Sequence, residues 1–541
     1  MEMSKEKLQN LSKKELIEMV IAKDLEAKEA QENLKWLNEQ IETLKKSRYG
    51  SKSEIIPNNQ LSLFNEIEDI KDHCNEQEEV VVVTTKVKRR KTKEADYSKL
   101  PVKVIDHKLE NKECPKCQNT MKELAPEIID ILKYQPARYY IERHIVHQYV
   151  CKECSNEIDD DGEQYAMIVS AEGVPSRLIK GSVASASVVS GIAFNKFVSG
   201  TPLYRQEQEL KRKQIPLSRA NMSNWLMKCS DNYLKPLYDI MKDDLQHMNH
   251  INVDETTVTV LEEKSSSRSK NYMWVMESGK WEDNQAAVYC YHANREHAFA
   301  KEMIGADYQG VIHCDGYEAY DKLEYATQVG CMAHCRRYFV EAYEVDEGSK
   351  IKNPLERKEY GDNHESFKII NHILNEIKYL FECEAEYTRL KLKPNEIYER
   401  RQNEQKARFD GLFKYIKMNQ NKFTKKSKAG KAFTYALNQQ HKLRNYLNDG
   451  YSELSNNRAE RCIKSFVIGR KAWLFSNTIS GANTSAIYYS LIESAKLNNL
   501  DIQNYLTYVL ETLKDIRKPT EEDYRKVLPY SNELPEQLKC K

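Results

Sequence analysis

Glycine and proline are scarce, at 18 and 14 residues in a chain of 541. That shortage argues against an all-β design built on tight turns and favours long helices. No run of 18 or more apolar residues occurs and mean hydropathy is −0.74, which excludes a membrane-spanning helix. The opening stretch MEMSKEKLQNLSKKEL lacks the apolar core of a signal peptide, so a soluble, cytoplasmic protein is expected. An excess of either charge is missing too. Lys and Arg (83) offset Asp and Glu (82) to leave +1, so bulk charge neither demands nor excludes a nucleic-acid partner, and only local clusters bear on one.

What is present is length and a cysteine pattern. At roughly 150 residues per domain the chain divides into three or four units. Thirteen cysteines include two CxxC pairs, and the others stand singly. This suits metal binding in a reducing compartment better than a disulfide framework.

From Leu16 to Leu44 apolar positions recur at alternating spacings of four and three: Leu16, Val20, Ala27, Ala30, Leu34, Leu37, Ile41 and Leu44, interrupted at Lys23. The pattern predicts a short dimerising coiled coil; one amphipathic helix docked on its own protein is the alternative. Residues 48–96 lack periodicity and end in KVKRRKTK (Lys86–Lys93), a basic linker able to neutralise phosphates or simply to stay solvated.

Cys114-Pro-Lys-Cys117 and Cys151-Lys-Glu-Cys154 bracket a segment with alternating apolar residues from Tyr140 to Val150. Two thiolate pairs at this spacing supply the four soft ligands of one tetrahedral Zn2+; free or redox thiols are the alternative. With no open coordination position, such a zinc is structural. Next, Pro202–Lys213 reads as a helix, Gln214–Leu217 as a turn, and Ser218–Leu226 as a second helix capped by Ser218. Helix, turn and capped helix carrying Arg205, Arg212, Arg219 and Asn221 fit a helix-turn-helix, or two packed helices of a bundle.

Between residues 250 and 320 the period becomes that of strands. His250–Val260, Tyr272–Met276 and Ala287–Tyr291 form a predicted meander; a helix over about Arg295–Met303 leads to a strand ending on Asp315 beside Gly316. The order β-β-β-α-β, with Asp254 on the first strand and Asp315 ending the fourth, is that of ribonuclease H-like nucleotidyl transferases. Such a site needs a third acid from a later helix, and Glu460 supplies one within Ser455–Phe475. Asn456, Glu460 and Lys464 share a helix face, as do Asn457, Arg461 and Lys464. Three hard carboxylates suit two Mg2+ or Mn2+ ions. Glu255 and Glu318 compete for the same roles; Asp254 and Asp315 are preferred because Val253 and Cys314 set apolar neighbours against the core.

Several long motifs run through the chain: RYGSKSE with QLSLFNEIED, the CPKC to CKEC ribbon, TPLYRQEQELKRK with LSRANMSNW, CDGYEAY, GCMAHCRRYF, NNRAERCIKSFVIGRKAWLFS and SLIESAKLNNLDIQNYL. In these the sequence resembles bacterial transposases of the insertion sequence 66 family along nearly its whole length. The resemblance implies a DDE transposase with a helical insertion between the second Asp and the Glu. It carries the triad onto Asp254, Asp315 and Glu460 and the zinc ligands onto Cys114, Cys117, Cys151 and Cys154. His334 resembles the family's histidine near the active site; read from the residues, a His beside Arg336 and Arg337 is also a phosphate contact or a core histidine. Ser455, Cys335 and Cys462 depart from residues common in the family, without touching the triad.

The expected architecture is a multidomain α+β chain. It comprises an oligomerisation helix (1–47), the basic linker (48–96), a zinc ribbon (97–160) and a helix-turn-helix-like region (161–243). A ribonuclease H-like α/β catalytic core (244–345 and 450–500) follows, interrupted by a helical insertion (346–449), and a helical tail (501–541) ends the chain. The expected activity is metal-dependent cleavage and strand transfer of an element's DNA, with two Mg2+ or Mn2+ ions per active site and one structural Zn2+. The expected partners are terminal inverted repeats, target DNA, a second copy of the chain and possible small accessory proteins, at the bacterial nucleoid. Asn457, Arg458, Arg461, Lys464, Arg470 and Lys471 are the candidate DNA contacts on the Glu460 helix. The competing readings are a DNA-binding regulator with a dead core, and a nuclease or resolvase of the same fold.

Overall fold

The computed structural model describes Lys23 and residues 139–145, 148–151, 167–170, 175–263, 270–351 and 353–540. The expected coiled coil and linker, and Cys114, Cys117 and Cys154, lie outside the described residues. Two compact units are present, one of residues 77–175 and one that contains residues 176–541. In the first, β1 (Gln148–Cys151) pairs antiparallel with β2 (Met167–Ser170), Gln148 opposite Ser170 and Cys151 opposite Met167. Cys151 thus ends a strand.

The second unit begins with four helices: α1 (Ala186–Ala193), α2 (Leu203–Arg212), α3 (Arg219–Cys229) and α4 (Lys235–Gln246). Ser218 caps α3 as its sequence signature predicts, its hydroxyl accepting from the Asn221 N–H at 3.2 Å. A π-helical turn, Ser230–Leu234, joins α3 to α4. Pro236 explains it: proline lacks an N–H and crowds the carbonyl four residues back, so the chain widens by one residue per turn there.

A five-stranded sheet follows. It contains β3 (His250–Val258), β4 (Asn271–Ser278), β5 (Ala287–His292), then α5 (His297–Ile304), β6 (Val311–Cys314) and β7 (Thr327–Gly330). The order across the sheet is β5-β4-β3-β6-β7; β4 runs antiparallel to β3 and β5, while β6 is parallel to β3 and to β7. Central strands covered on both faces lose the alternating pattern, and Ile251, Asn252 and Val253 on β3 are all buried.

A helical insertion then departs from the sheet: α6 (Met332–Val345), α7 (Pro354–Asn363), α8 (Glu365–Arg389), α9 (Pro394–Arg400), α10 (Lys406–Asn419) and α11 (Lys428–Arg444). It owns a separate apolar core built on Phe339, Ile373, Ile377, Phe409, Phe413 and Phe433. Buried Arg401 locks its far end, donating to Glu384 at 2.6 Å and to the carbonyls of Tyr446 and Asp449 at 2.9 Å.

The chain returns as α12 (Asn457–Trp473) and α13 (Ile479–Leu497), then closes with α14 (Ile502–Lys514) and α15 (Glu521–Lys526). Serines of α13 satisfy the outer edge of β5: Ser490 accepts from the Tyr289 N–H at 2.8 Å and Ser494 from the Ala287 N–H at 2.9 Å. An edge strand's unpaired amides are thereby covered by hydroxyls instead of by another strand. One hydrophobic cluster runs from Leu178 through the sheet to Leu538, so the helices before the sheet and those after α13 share its core. Among the described residues, no helix is long and apolar enough to cross a membrane.

Candidate active site

Strand register brings the two aspartates together. Asn252 on β3 is the parallel partner of His313 on β6. Two residues further along from each stand Asp254, on β3, and Asp315, just past the end of β6, and the two strands lie about 4.8 Å apart. Glu460 arrives from α12. Asn456, the residue before that helix, donates its side-chain amide to the Val253 carbonyl at 2.7 Å, which ties the helix start to the strand residue preceding Asp254. Glu460 is one turn further in and only 4% exposed.

The electrostatics record this meeting of acids. Burial raises the Asp254 carboxyl well above its usual range, and the charges of Glu255, Glu460 and Asp315 raise it further. Burial pushes Glu460 up to about 7; Asp315 adds to the rise, while Arg337 and Arg461 oppose it. For Asp254 and Glu460, burial beside other acids disfavours the ionised form unless cations join them.

The two competing acids are differently employed. Both Glu255 oxygens are taken, one by the Arg295 guanidinium and one by the Tyr320 hydroxyl at 2.6 Å. Glu318 is exposed. Arg295 also lies 3.9 Å from Asp315 and stacks on the Tyr317 ring at 3.5 Å. By contrast Glu460 Oε1 is buried and accepts no hydrogen bond. A buried acceptor without a donor costs free energy unless a ligand completes it, and hard carboxylate oxygens are what Mg2+ or Mn2+ takes. The donor set therefore fits a divalent cation. Gly316, next to Asp315, is explained by packing: a Cβ there would lie 2.8 Å from the Tyr435 ring on α11.

His334, in the first turn of α6, sets Nδ1 3.3 Å from Glu460 Oε1, yet the pair makes no hydrogen bond. Burial and the Arg337 charge hold His334 down at about 3, so it is neutral. Arg336 and Arg337 are half-buried on the same helix, each with an unpartnered Nε.

The candidate DNA contacts separate into two groups. Arg205, Arg212, Arg219 and Asn221 are exposed on α2 and α3, and Arg461 and Lys471 are exposed on α12, with Lys464 half-buried. The other three are turned to internal duties. Asn457 is 5% exposed. Arg458 pairs with Glu277 on β4 at 3.1 Å and with Glu453 at 3.7 Å. Arg470 donates to the Thr256 hydroxyl at 3.1 Å and to the Thr257 carbonyl. These contacts hold α12 on the sheet, because Glu277 is buried and needs a cation.

Sequence reasoning did not single out Arg295, Cys331 or the Asn456 tether as parts of the site. Asn456 carried a signal, an Asn just before a periodic helix. Arg295 and Cys331 did not, since their partners lie far along the chain.

Comparison with known proteins defines a class first: residues 111–155 match a zinc-finger binding domain of transposases, and the sheet, insertion and returning helices lie largely within a transposase domain. Residues 181–484, more than half of the chain, match the Transposase IS66 family, and the chain belongs to that family. Residues 490–530 match its C-terminal element, and residues 36–105 match a segment described as transposase C of IS166 homeodomain. Two relatives in Sinorhizobium fredii are the uncharacterized proteins y4jD and y4hP. The first is 27% identical over 423 residues, 75% of each chain; the second is 22% identical over 404 residues, 73% of this chain and 69% of its own.

Proposed function

We propose that this IS66-family transposase is a DDE enzyme that binds the terminal inverted repeats of its element and carries out DNA cleavage and strand transfer with Mg2+ or Mn2+. The observation that carries the reading is the convergence of Asp254, Asp315 and Glu460, from β3, the end of β6 and α12, with a buried Glu460 oxygen left without a donor. The strand order β5-β4-β3-β6-β7, with only β4 antiparallel to its neighbours, supports a ribonuclease H-like core. When bound, two divalent ions supply Lewis-acid stabilisation and an activated water or 3′-hydroxyl.

The chain's own residues do the rest. Asp254, Asp315 and Glu460 would hold the ions. Arg295 restrains Glu255, and lies beside Asp315, so that only the triad carboxylates remain to be neutralised. Arg337 and Arg461 moderate the charge on Glu460 and sit where DNA phosphates are drawn in. Arg205, Arg212, Arg219 and Asn221 on the exposed faces of α2 and α3 contact DNA as a helix-turn-helix-like pair. The Cys114, Cys117, Cys151 and Cys154 ribbon, holding one structural Zn2+, adds a second DNA-binding element, and the N-terminal heptads assemble two or more copies at the nucleoid. Small proteins encoded by the same element complete the assembly.

The test is Asp254→Asn in a strand-transfer assay on a labelled element end. Loss of joining in Mg2+ with repeat binding retained is the expected result; joining that persists rejects the triad. A wild-type chain that binds ends and never cuts them is a regulator, and one that cuts without joining is a nuclease or resolvase.

A further inference from the structure

Overlapping the proposed triad at Glu460 lies a second constellation, whose other two members the transposition chemistry does not use. Ligand atoms of Cys331, His334 and Glu460 all lie within 4.8 Å of one another. Cys331 is 1% exposed and forms the cap of α6; His334 is on the first turn of that helix, and Glu460 reaches in from α12. Two of the three atoms, His334 Nδ1 and Glu460 Oε1, are buried and make no hydrogen bond although they face each other at 3.3 Å.

That separation has a meaning in coordination chemistry. Ligands held at about 2.0 to 2.1 Å from one ion at the tetrahedral angle stand about 3.3 to 3.4 Å apart. For a thiolate at about 2.3 Å the corresponding sulfur-to-nitrogen separation is about 3.6 Å. Cys331 Sγ, at most 4.8 Å from the other ligand atoms, therefore needs at most about 1.2 Å of closure. The sulfur already accepts the Asn456 N–H at 3.2 Å and sits at the N-terminus of a 14-residue helix, two features that stabilise a thiolate. A Cys, His and carboxylate set selects a borderline transition metal over Mg2+, whose preference is for oxygen alone.

We propose that Cys331, His334 and Glu460 form a binding site for a thiolate-seeking divalent metal such as Zn2+, and that its occupation withdraws Glu460 from Asp254 and Asp315. The second half of this statement rests on the DDE reading above; the first does not. With Glu460 Oε1 turned to Cys331 and His334, that oxygen is withdrawn from an ion between the aspartates, so the site is an inhibitory one that holds the transposase idle where zinc is loaded.

The experiment measures zinc bound per full-length chain after dialysis against Zn2+, in wild type, Cys331→Ser, His334→Asn and a Cys114→Ser/Cys117→Ser ribbon variant. Wild type is expected to bind two ions, each of the three variants, which lose one site, to bind one, and the Cys331 and His334 variants to weaken the second equivalent by at least about 10- to 100-fold. Identical zinc content in wild type, Cys331→Ser and His334→Asn overturns the site; His334→Asn, at a less buried position than Cys331, serves if Cys331→Ser does not fold. In a strand-transfer assay, zinc inhibition of each protein is expressed relative to its own rate without zinc. Wild type losing activity at about tenfold lower zinc than Cys331→Ser is expected, and equal sensitivity overturns the competition for Glu460. A chain that joins no DNA in any metal counts against the DDE reading and leaves the zinc stoichiometry to decide the site.

Discussion

A carboxylate that waits for a cation should destabilise the protein that carries it, and Glu460→Gln measures by how much. Burial and Asp315 push the Glu460 carboxyl from 4.5 up to about 7. At 1.36 kcal/mol per pH unit, keeping it ionised in the fold costs about 3 kcal/mol. A carboxyl raised above its unfolded value contributes stability below about pH 4.5, and that contribution is lost as pH climbs toward 7. Glutamine, never charged, escapes the loss. In chelator, Glu460→Gln should therefore melt above wild type at pH 8 and level with it at pH 4.5. With about 2.1 cal/mol/K of unfolding entropy per residue over residues 176–541, 3 kcal/mol corresponds to about 4 °C. Mg2+ at about 1,000 times its Kd should reverse the order, since it adds about 4.1 kcal/mol to wild type alone. Scanning calorimetry at the two pH values, with and without Mg2+, decides it. A variant that melts below wild type at pH 8 in chelator, or by the same margin at both pH values, refutes the reasoning, because Glu460 would then be a satisfied structural acid.

Arg458→Ala removes the cation beside buried Glu277 and should cost about 3 to 5 kcal/mol. Because burial raises Glu277 to about 7, the loss measured by urea unfolding should be full at pH 8 and shrink at pH 5.5, where Glu277 takes up a proton, and Glu277→Gln should rescue it. Arg205→Ala and Arg219→Ala should each weaken binding to any duplex and lower the salt slope of log K by about 1. A slope unchanged in fluorescence anisotropy titrations would remove α2 and α3 from the DNA interface.

Much of the fold was legible because local signals and tertiary structure agree. Ser218 announces a cap and caps; the meander and the strand ending at Cys314 lie within a few residues of where β-branched runs place them. The candidate aspartates were legible for a related reason, since an acid within a strand, as Asp254 is, or just past its end, as Asp315 is, stands out next to apolar neighbours. Illegible were the partnerships. Glu255 and Asp254 are adjacent and chemically alike, and only the Arg295 and Tyr320 contacts separate a satisfied carboxylate from an available one. Arg458, Arg461 and Lys464 look alike on a helix of mixed charge, yet Arg458 alone among them is spent on Glu277 and Glu453.

By itself, then, the amino-acid order determined which segments become strands and helices, where the acids fall along them, and the family to which the chain belongs, because these depend on periodicity and on long unbroken motifs. Only the tertiary structure decided which charged groups neutralise one another and which are left wanting a cation. Electrostatic pairing acts across space over a few ångströms, and residues separated by a whole helical insertion, as His334 and Glu460 are, become neighbours only when the chain closes on itself.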